Sequence, residues 1–136
     1  MSRRSGGIAW ALILLTVAAA TACGRANLTE LQKVKSGMLD VVLLSPRDGL
    51  RHGSDSFVVE FRSGSGGLTD VGMVRASASM SMSGTPMMGT INVARTEVAG
   101  RYAATSEFSM AGTWRMTIQW DGPPGPGSVT FPGSVQ

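Results

Sequence analysis

The amino-acid sequence predicts an all-β protein, an antiparallel immunoglobulin-like β-sandwich of about seven strands. Three observations lead to this prediction. Residues 113–120 alternate without interruption between apolar and polar side chains, as a half-buried strand does. Similar short runs recur along the chain with glycine and proline turns between them, and no long amphipathic helix pattern follows residue 38. An open barrel is the alternative arrangement of the same strands.

The first residues have the pattern of an export signal. Arg3 and Arg4 precede an apolar run from Ile8 to Ala20, and small residues follow it. The run is shorter than the about 20 residues that a spanning helix needs, so we expect cleavage rather than a permanent transmembrane anchor. Residues 1–22 are therefore predicted to be a signal-peptide helix of lipoprotein type.

The single cysteine of the chain, Cys23, lies directly behind this signal. The segment from Ala20 to Cys23 resembles the lipobox of bacterial lipoproteins, which implies a diacylglyceryl group on the Cys23 thiol. Ala20 stands where that pattern favours Leu, so an ordinary signal-peptidase site is the alternative. An unpaired cysteine is otherwise hard to place in an exported chain. We predict a lipoprotein of the bacterial cell envelope, anchored to a membrane at the periplasm or the cell surface.

Residues 23–38 are predicted to be the lipid-attached linker. The apolar residues Leu28, Leu31 and Val34 recur at intervals of three, which would suit a turn or two of helix. A helix this short is marginal in water, so we expect regular structure to begin at Leu39.

The predicted domain spans residues 39–132 and starts with two neighbouring strands. The runs 39–45 and 55–62 are rich in β-branched and aromatic residues and are separated by a turn from Pro46 to Gly49. A strand of small residues and methionine follows over 73–83, and the chain resumes as a strand over 87–95.

The last part of the predicted domain holds most of the aromatic residues. We expect the strands 100–108 and 113–120 to form a hairpin, with Trp114 and Ile118 facing the core. A loop rich in proline and glycine leads to a final strand over 128–131, and residues 133–136 are predicted to be a tail.

Charge and motif content argue against two classes of function. Removal of Arg3 and Arg4 with the signal leaves acidic and basic residues nearly balanced, with no basic block, so nucleic acid is not an expected partner. His52 is the single histidine, and no nucleophile-base pair, phosphate loop or zinc motif is recognisable. We therefore predict that the protein is not an enzyme.

Several short motifs occur together in one order. They are Met80-Ser-Met82, Pro86-Met-Met88, Gly100-Arg-Tyr102 and Phe108-Ser-Met-Ala-Gly-Thr-Trp114. In this order, over about residues 39–120, the chain resembles the YtkA-like domain, which is related to FixH-type proteins. The resemblance implies an exported β-sandwich with an accessory role, of the kind found near copper-handling and heavy-metal efflux proteins.

The concentration of methionine suggests what such an accessory domain binds. Met80 and Met82 share one face of a strand, and a corner at residues 84–86 would bring Met87 or Met88 back toward them. Thioether sulfur suits Cu(I), and His52 is the one imidazole available. Packing of Met80 and Met82 in the core is the competing interpretation.

Two functions follow from these observations. The first is an envelope-anchored, non-catalytic accessory domain that binds Cu(I) or another soft metal, with copper as the candidate cofactor. The alternative is a protein-interaction or structural module of an envelope complex, which binds an envelope protein and no metal.

Overall fold

The computed structural model describes residues 27–136, and it confirms the all-β prediction. Eight strands occur in this range, and every strand pair is antiparallel. They are β1 (Thr29–Ser36), β2 (Leu39–Ser45), β3 (Gly53–Ser63), β4 (Val74–Met80), β5 (Met87–Arg95), β6 (Arg101–Phe108), β7 (Gly112–Trp120) and β8 (Gly127–Val135). The predicted signal peptide 1–22 and Cys23 lie outside the described residues. Within 27–136, no helix has the length and apolar character needed to cross a membrane.

The strands form one sheet in the order β1-β2-β3-β6-β5-β4-β7-β8, and the sheet folds over on itself into two layers. The sheet folds over at β5. The first residues of β5 pair with β4 as far as Gly89, whereas pairing with β6 begins at Thr90. Gly89 lies against the core, and a Cβ there would come within 3.1 Å of Phe108 and 3.2 Å of Trp114. The strand therefore passes from one layer to the other at a residue without a side chain.

The core lies between the two layers and is rich in aromatic rings. Every second residue of β7 is buried, which confirms the predicted inward face with Trp114 and Ile118. Phe61 of β3 packs edge-on against Trp120, with ring centroids 5.1 Å apart. Phe108 of β6 packs against Trp114 of the other layer in a tilted arrangement, with an interplanar angle of 51° and ring centroids 4.9 Å apart. Such rings bury the most area per residue, so these pairs fix how the layers face each other.

The predicted hairpin of the last two aromatic strands is wrong. β6 pairs with β3 and β5, whereas β7 pairs with β4 and β8, so the connection over residues 109–112 crosses from one layer to the other. Both strands alternate because each buries one face in the same core from opposite sides. Alternation identifies the buried face of a strand, but it does not identify the neighbouring strand.

The predicted linker contains a strand, so the domain begins earlier than residue 39. β1 pairs with β2 from Thr29 opposite Ser45 to Ser36 opposite Leu39. The register shifts at Leu31, which is an extra residue in the strand, as in a β-bulge. Leu31 and Val34 both pack against the core. The bulge therefore explains why the apolar spacing of three suggested a helical turn.

The predicted tail also belongs to the domain. β8 runs from Gly127 to Val135, well beyond the predicted strand over 128–131, and Val135 is buried. The ladder with β7 continues to Gly112 opposite Val135. Together with β1, this strand extends the folded unit from the predicted 39–132 to residues 29–135.

The sandwich has two ends, and we name each after its side chains. The methionine end is the end at which β4 and β6 finish and β5 and β7 begin; it contains Met80, Met82, Met87 and Met110. The tyrosine end is the opposite one, where β3 and β5 finish and β4 and β6 begin; it contains Asp70, Gly72, Arg95, Gly100 and Tyr102.

Candidate functional site

Two methionines lie opposite each other at the methionine end. Met80 is the last residue of β4 and pairs with Met87, the first residue of β5. Directly opposed residues in an antiparallel pair have Cβ atoms about 4.5–5.5 Å apart, and their side chains leave the same face of the sheet. Met80 is 8% exposed and belongs to the core, and Met87 packs against it half-buried. The turn over residues 84–86 therefore returns Met87, rather than Met88, to Met80.

The connection between β6 and β7 lies over this pair. Ser109 Oγ donates a hydrogen bond to Met87 Sδ at 2.8 Å. A Cβ at Gly112 would come within 2.5 Å of Met80 Cε, and Gly112 has a φ of 146°, a conformation that favours glycine. Trp114 Nε1 donates a hydrogen bond to Met110 O at 3.0 Å, which ties the connection to β7. Residues 109–112 thus hold one thioether by its sulfur and leave room for the other.

The remaining methionines of this region lie at different distances from the pair along the chain. Met82 lies two residues beyond the end of β4 and is 46% exposed. Met110, in the covering connection, is 41% exposed. Met88 pairs with Ser79 and therefore leaves the opposite face of the sheet, where it is 65% exposed. Of the four predicted methionine ligands, the structure opposes Met80 and Met87, leaves Met82 next along the chain, and separates Met88.

Met110 is absent from the residues that the sequence suggested as ligands. It lies in the connection 109–112, which crosses between the layers and contacts Met87 through Ser109, and we predicted a hairpin there. The sequence feature that indicates the position of Met110 is the short spacing between Phe108 and Trp114, because these two rings meet across the core and Met110 lies between them in the chain.

His52 is placed apart from the methionine pair. It is exposed, its Nδ1 lies 2.9 Å from Gln136 O, and its backbone N–H donates to the same oxygen at 2.7 Å. It precedes β3, which pairs with β2 and β6, whereas Met87 pairs with Met80 of β4 in the other layer. The structure therefore assigns His52 to the junction with the end of β8.

The donor chemistry of the methionine end fits a soft, monovalent metal. Two thioethers on one face of the sheet offer neutral and polarisable sulfur, which suits Cu(I) better than hard cations. In the part of the chain from residue 27 onward, no three side chains among His, Cys, Asp and Glu converge as metal ligands. Sulfur therefore supplies the candidate donor set.

The tyrosine end is built from hydrogen bonds instead. The Asp70 carboxylate accepts the Gly72 N–H at 2.8 Å and lies 3.2 Å from Arg95 Nη1. Tyr102 Oη donates to Gly72 O at 2.7 Å and to Asp70 Oδ1 at 3.3 Å. These contacts fasten the loop between β3 and β4 onto β6, across the end of the core.

The same contacts shift two pKa values away from neutrality. The Gly72 N–H, together with the charge of Arg95, lowers the pKa of Asp70 below its usual value. Burial, together with the Asp70 charge, raises the pKa of Tyr102. At neutral pH Asp70 is therefore a carboxylate and Tyr102 a phenol. This end of the molecule serves to hold the loop in place.

Comparison with known proteins identifies the domain. The family model described as YtkA-like matches residues 33–119, which is more than half of the chain. The matched range begins within β1 and ends at the penultimate residue of β7, so it includes the methionine pair and the connection over it. No match was found among curated proteins or solved structures. The chain belongs to the YtkA-like family.

Proposed function

We propose that this chain is an exported accessory domain that binds Cu(I) through Met80 and Met87. The observation that carries the proposal is the direct opposition of these two residues in the register of β4 and β5. Packing alone does not require two thioethers at adjoining positions, because leucine or isoleucine would fill the same space. The exposed Met82 and Met110 are the candidates for a third sulfur ligand.

The side chains of Met80 and Met87 are also restrained in the folded protein, which favours metal binding. Met80 is held in the core and Met87 is held by Ser109, so little side-chain freedom remains to be lost when a metal binds. Met82 and Met110 are exposed and supply access from solvent. The arrangement suits an ion that enters at the exposed end and is retained by the buried Met80 and the half-buried Met87.

The cellular setting in this proposal comes from the sequence and the family. The signal-like segment and Cys23 support export and attachment to a membrane of the cell envelope. Thioethers remain usable ligands in an oxidising compartment, where free thiols become disulfides. The role we propose is non-catalytic: the domain holds or passes on the metal for another envelope protein.

A Cu(I) titration tests the proposal. Cu(I) affinity is measured without oxygen, by competition with a coloured Cu(I) chelator, in the wild type and in the double variant Met80→Leu/Met87→Leu. We expect the double variant to bind at least tenfold more weakly. Met88→Leu is the matched control, since it makes the same chemical change on the opposite face of the sheet. Unchanged affinity in a folded double variant contradicts the proposal, as does an equal loss in the control.

A protein-interaction role is the second candidate, and one observation favours it. Met82, Met88 and Met110 are large apolar side chains exposed at one end of the molecule. Flexible methionine-rich surfaces adapt to protein partners. This role predicts that Met82→Glu and Met88→Glu prevent association with an envelope partner, while Met80→Leu/Met87→Leu leaves it intact. Association can be measured by cross-linking in intact cells, with copper withheld.

A further inference from the structure

The sheet does not close along the line where β1 and β8 face each other. These are the two edge strands of the sheet order, and Gln32 Nε2 donates a hydrogen bond across the gap to Pro132 O at 2.6 Å. At the methionine end, the segment beginning at Leu50 joins β8, where Gln136 N–H donates to Leu50 O at 2.9 Å. Between β1 and this junction lies a cleft of about 160 Å³.

The walls of this cleft belong to the core. Apolar side chains from both layers line it, namely Leu31, Leu43, Leu50, Phe108, Trp114 and Phe131. Polar groups are found at its rim, where Asp48 and Ser134 are exposed. The cleft therefore combines an apolar interior with a polar mouth, as small-molecule sites in proteins commonly do.

A missing side chain explains why the space exists. The inward positions of β8 alternate as Val129, Phe131, position 133 and Val135, and position 133 is a glycine. A Cβ on Gly133 would meet one atom within 4 Å, Gln32 Nε2 at 3.8 Å, which is ordinary contact. The cleft thus includes the volume that a larger residue at 133 would fill. A Cβ at this position overlaps no neighbouring atom.

We propose that this cleft binds a small, uncharged apolar molecule with a single ring or a short alkyl chain. Volume decides the size, because an apolar cavity of roughly 150 Å³ holds one benzene ring and drug-sized ligands need roughly 300 Å³ or more. The Asp48 carboxylate at the rim disfavours anionic ligands. Neither Met80 nor Met87 lines the cleft, so this site is separate from the proposed metal site.

Titration with toluene tests the proposal. Methyl resonances of Leu31, Leu43 and Leu50 in the full-length protein are followed by NMR, and the melting temperature is measured over the same concentrations. We expect saturable shifts in these three residues and a melting temperature that rises with toluene, because a ligand that binds the folded state stabilises it. Absence of saturation in the wild type overturns the proposal.

Substitutions at position 133 provide the decisive comparison. Gly133→Leu should weaken toluene binding at least tenfold by filling the cleft, and Gly133→Ala should weaken it severalfold. Gly64→Leu makes the same chemical change in a loop with nothing within 4 Å, and it should bind toluene as the wild type does. If Gly133→Leu fails to fold, the smaller alanine variant still decides the question. Equal affinity in the wild type and in Gly133→Ala overturns the assignment to this cleft.

Discussion

The two ends of the sandwich cover the core with different chemistry. Both must cover a core of aromatic rings where the strands stop. The tyrosine end does so with fixed hydrogen bonds among Asp70, Gly72 and Tyr102, and with a glycine pressed against backbone. The methionine end uses thioethers and a connection that bonds to one sulfur. The first solution tolerates little change, whereas the second leaves soft donor atoms that a ligand can reach.

This difference teaches where function is to be sought in the molecule. Hydrogen-bonded groups at the tyrosine end have their partners within the chain, and these contacts move the pKa values of Asp70 and Tyr102 further from neutrality. Methionine sulfur needs no partner to be stable in a core, so it remains available as a ligand. Substitutions should therefore affect stability at one end and ligand binding at the other.

The largest effect on stability is expected at Gly100. This residue has a φ of 85°, and a Cβ there would lie 2.7 Å from Thr69 N. Gly100→Ala should lower the free energy of unfolding by about 3 kcal/mol or more, since it combines strain with overlap against backbone. Gly84→Ala is the control at the methionine end: its φ is 98° and nothing lies within 4 Å, so about 1 kcal/mol is expected. Urea unfolding measures both, and equal losses would refute the comparison.

Tyr102→Phe should have the next largest effect. It keeps the ring, which packs edge-on against Phe61 at 5.4 Å, and removes the hydroxyl that donates to Gly72 O. We expect a loss of about 1–2 kcal/mol in the free energy of unfolding, because the partly buried Gly72 carbonyl loses its donor. Thermal unfolding measures it, and the copper and toluene affinities should stay as in the wild type. A change in either affinity would show that the two ends are coupled.

The methionine pair should matter less for stability than for binding. Met80→Leu/Met87→Leu conserves volume and apolar character, so we expect a loss of under about 1.5 kcal/mol in the free energy of unfolding. Urea unfolding without metal gives this value. A much larger loss, with copper affinity unchanged, would indicate that the pair exists for packing.

The smallest expected effect is a dependence on pH. Because the pKa of Asp70 is lower in the folded state than its ordinary value of 3.8, its carboxylate stabilises the folded state at higher pH. This stabilisation by the carboxylate is lost as the pH falls below 3.8 and then through the lower pKa that Asp70 has in the folded state. Asp70→Asn should therefore flatten the decline of the urea midpoint between pH 5 and 2 by comparison with the control Asp121→Asn. If the urea midpoint of Asp70→Asn declines as steeply with falling pH as that of the wild type, this assignment is refuted.

Much of the architecture could be predicted from the sequence, because alternation reports burial directly. In the strands around Trp114 and Phe57 the residues expected to face inward, among them Val59 and Phe61, are buried. The partner of each strand is a different matter, since pairing depends on contacts distant in the chain. The connection 109–112 is as short as a hairpin turn, yet it crosses between layers so that Phe108 and Trp114 meet.

The first strand, β1, could not be predicted from the sequence for a more local reason. β1 carries mainly polar residues, as edge strands often do, and its bulge at Leu31 breaks the two-residue period. The candidate site was predictable in part: Met80 and Met87 were among its suggested ligands. The separation of Met88 and the position of His52 depend on register and on strand order. Neither follows from composition or spacing.

The sharing of β5 between the layers has a consequence for how the molecule opens. A sandwich whose layers are joined only by loops can lose one layer while the other survives. Here each layer takes part of its ladder from the same strand, which changes sides at Gly89. Amide protons of β4 and β6 should accordingly exchange with solvent at similar slow rates, since both are released when β5 detaches.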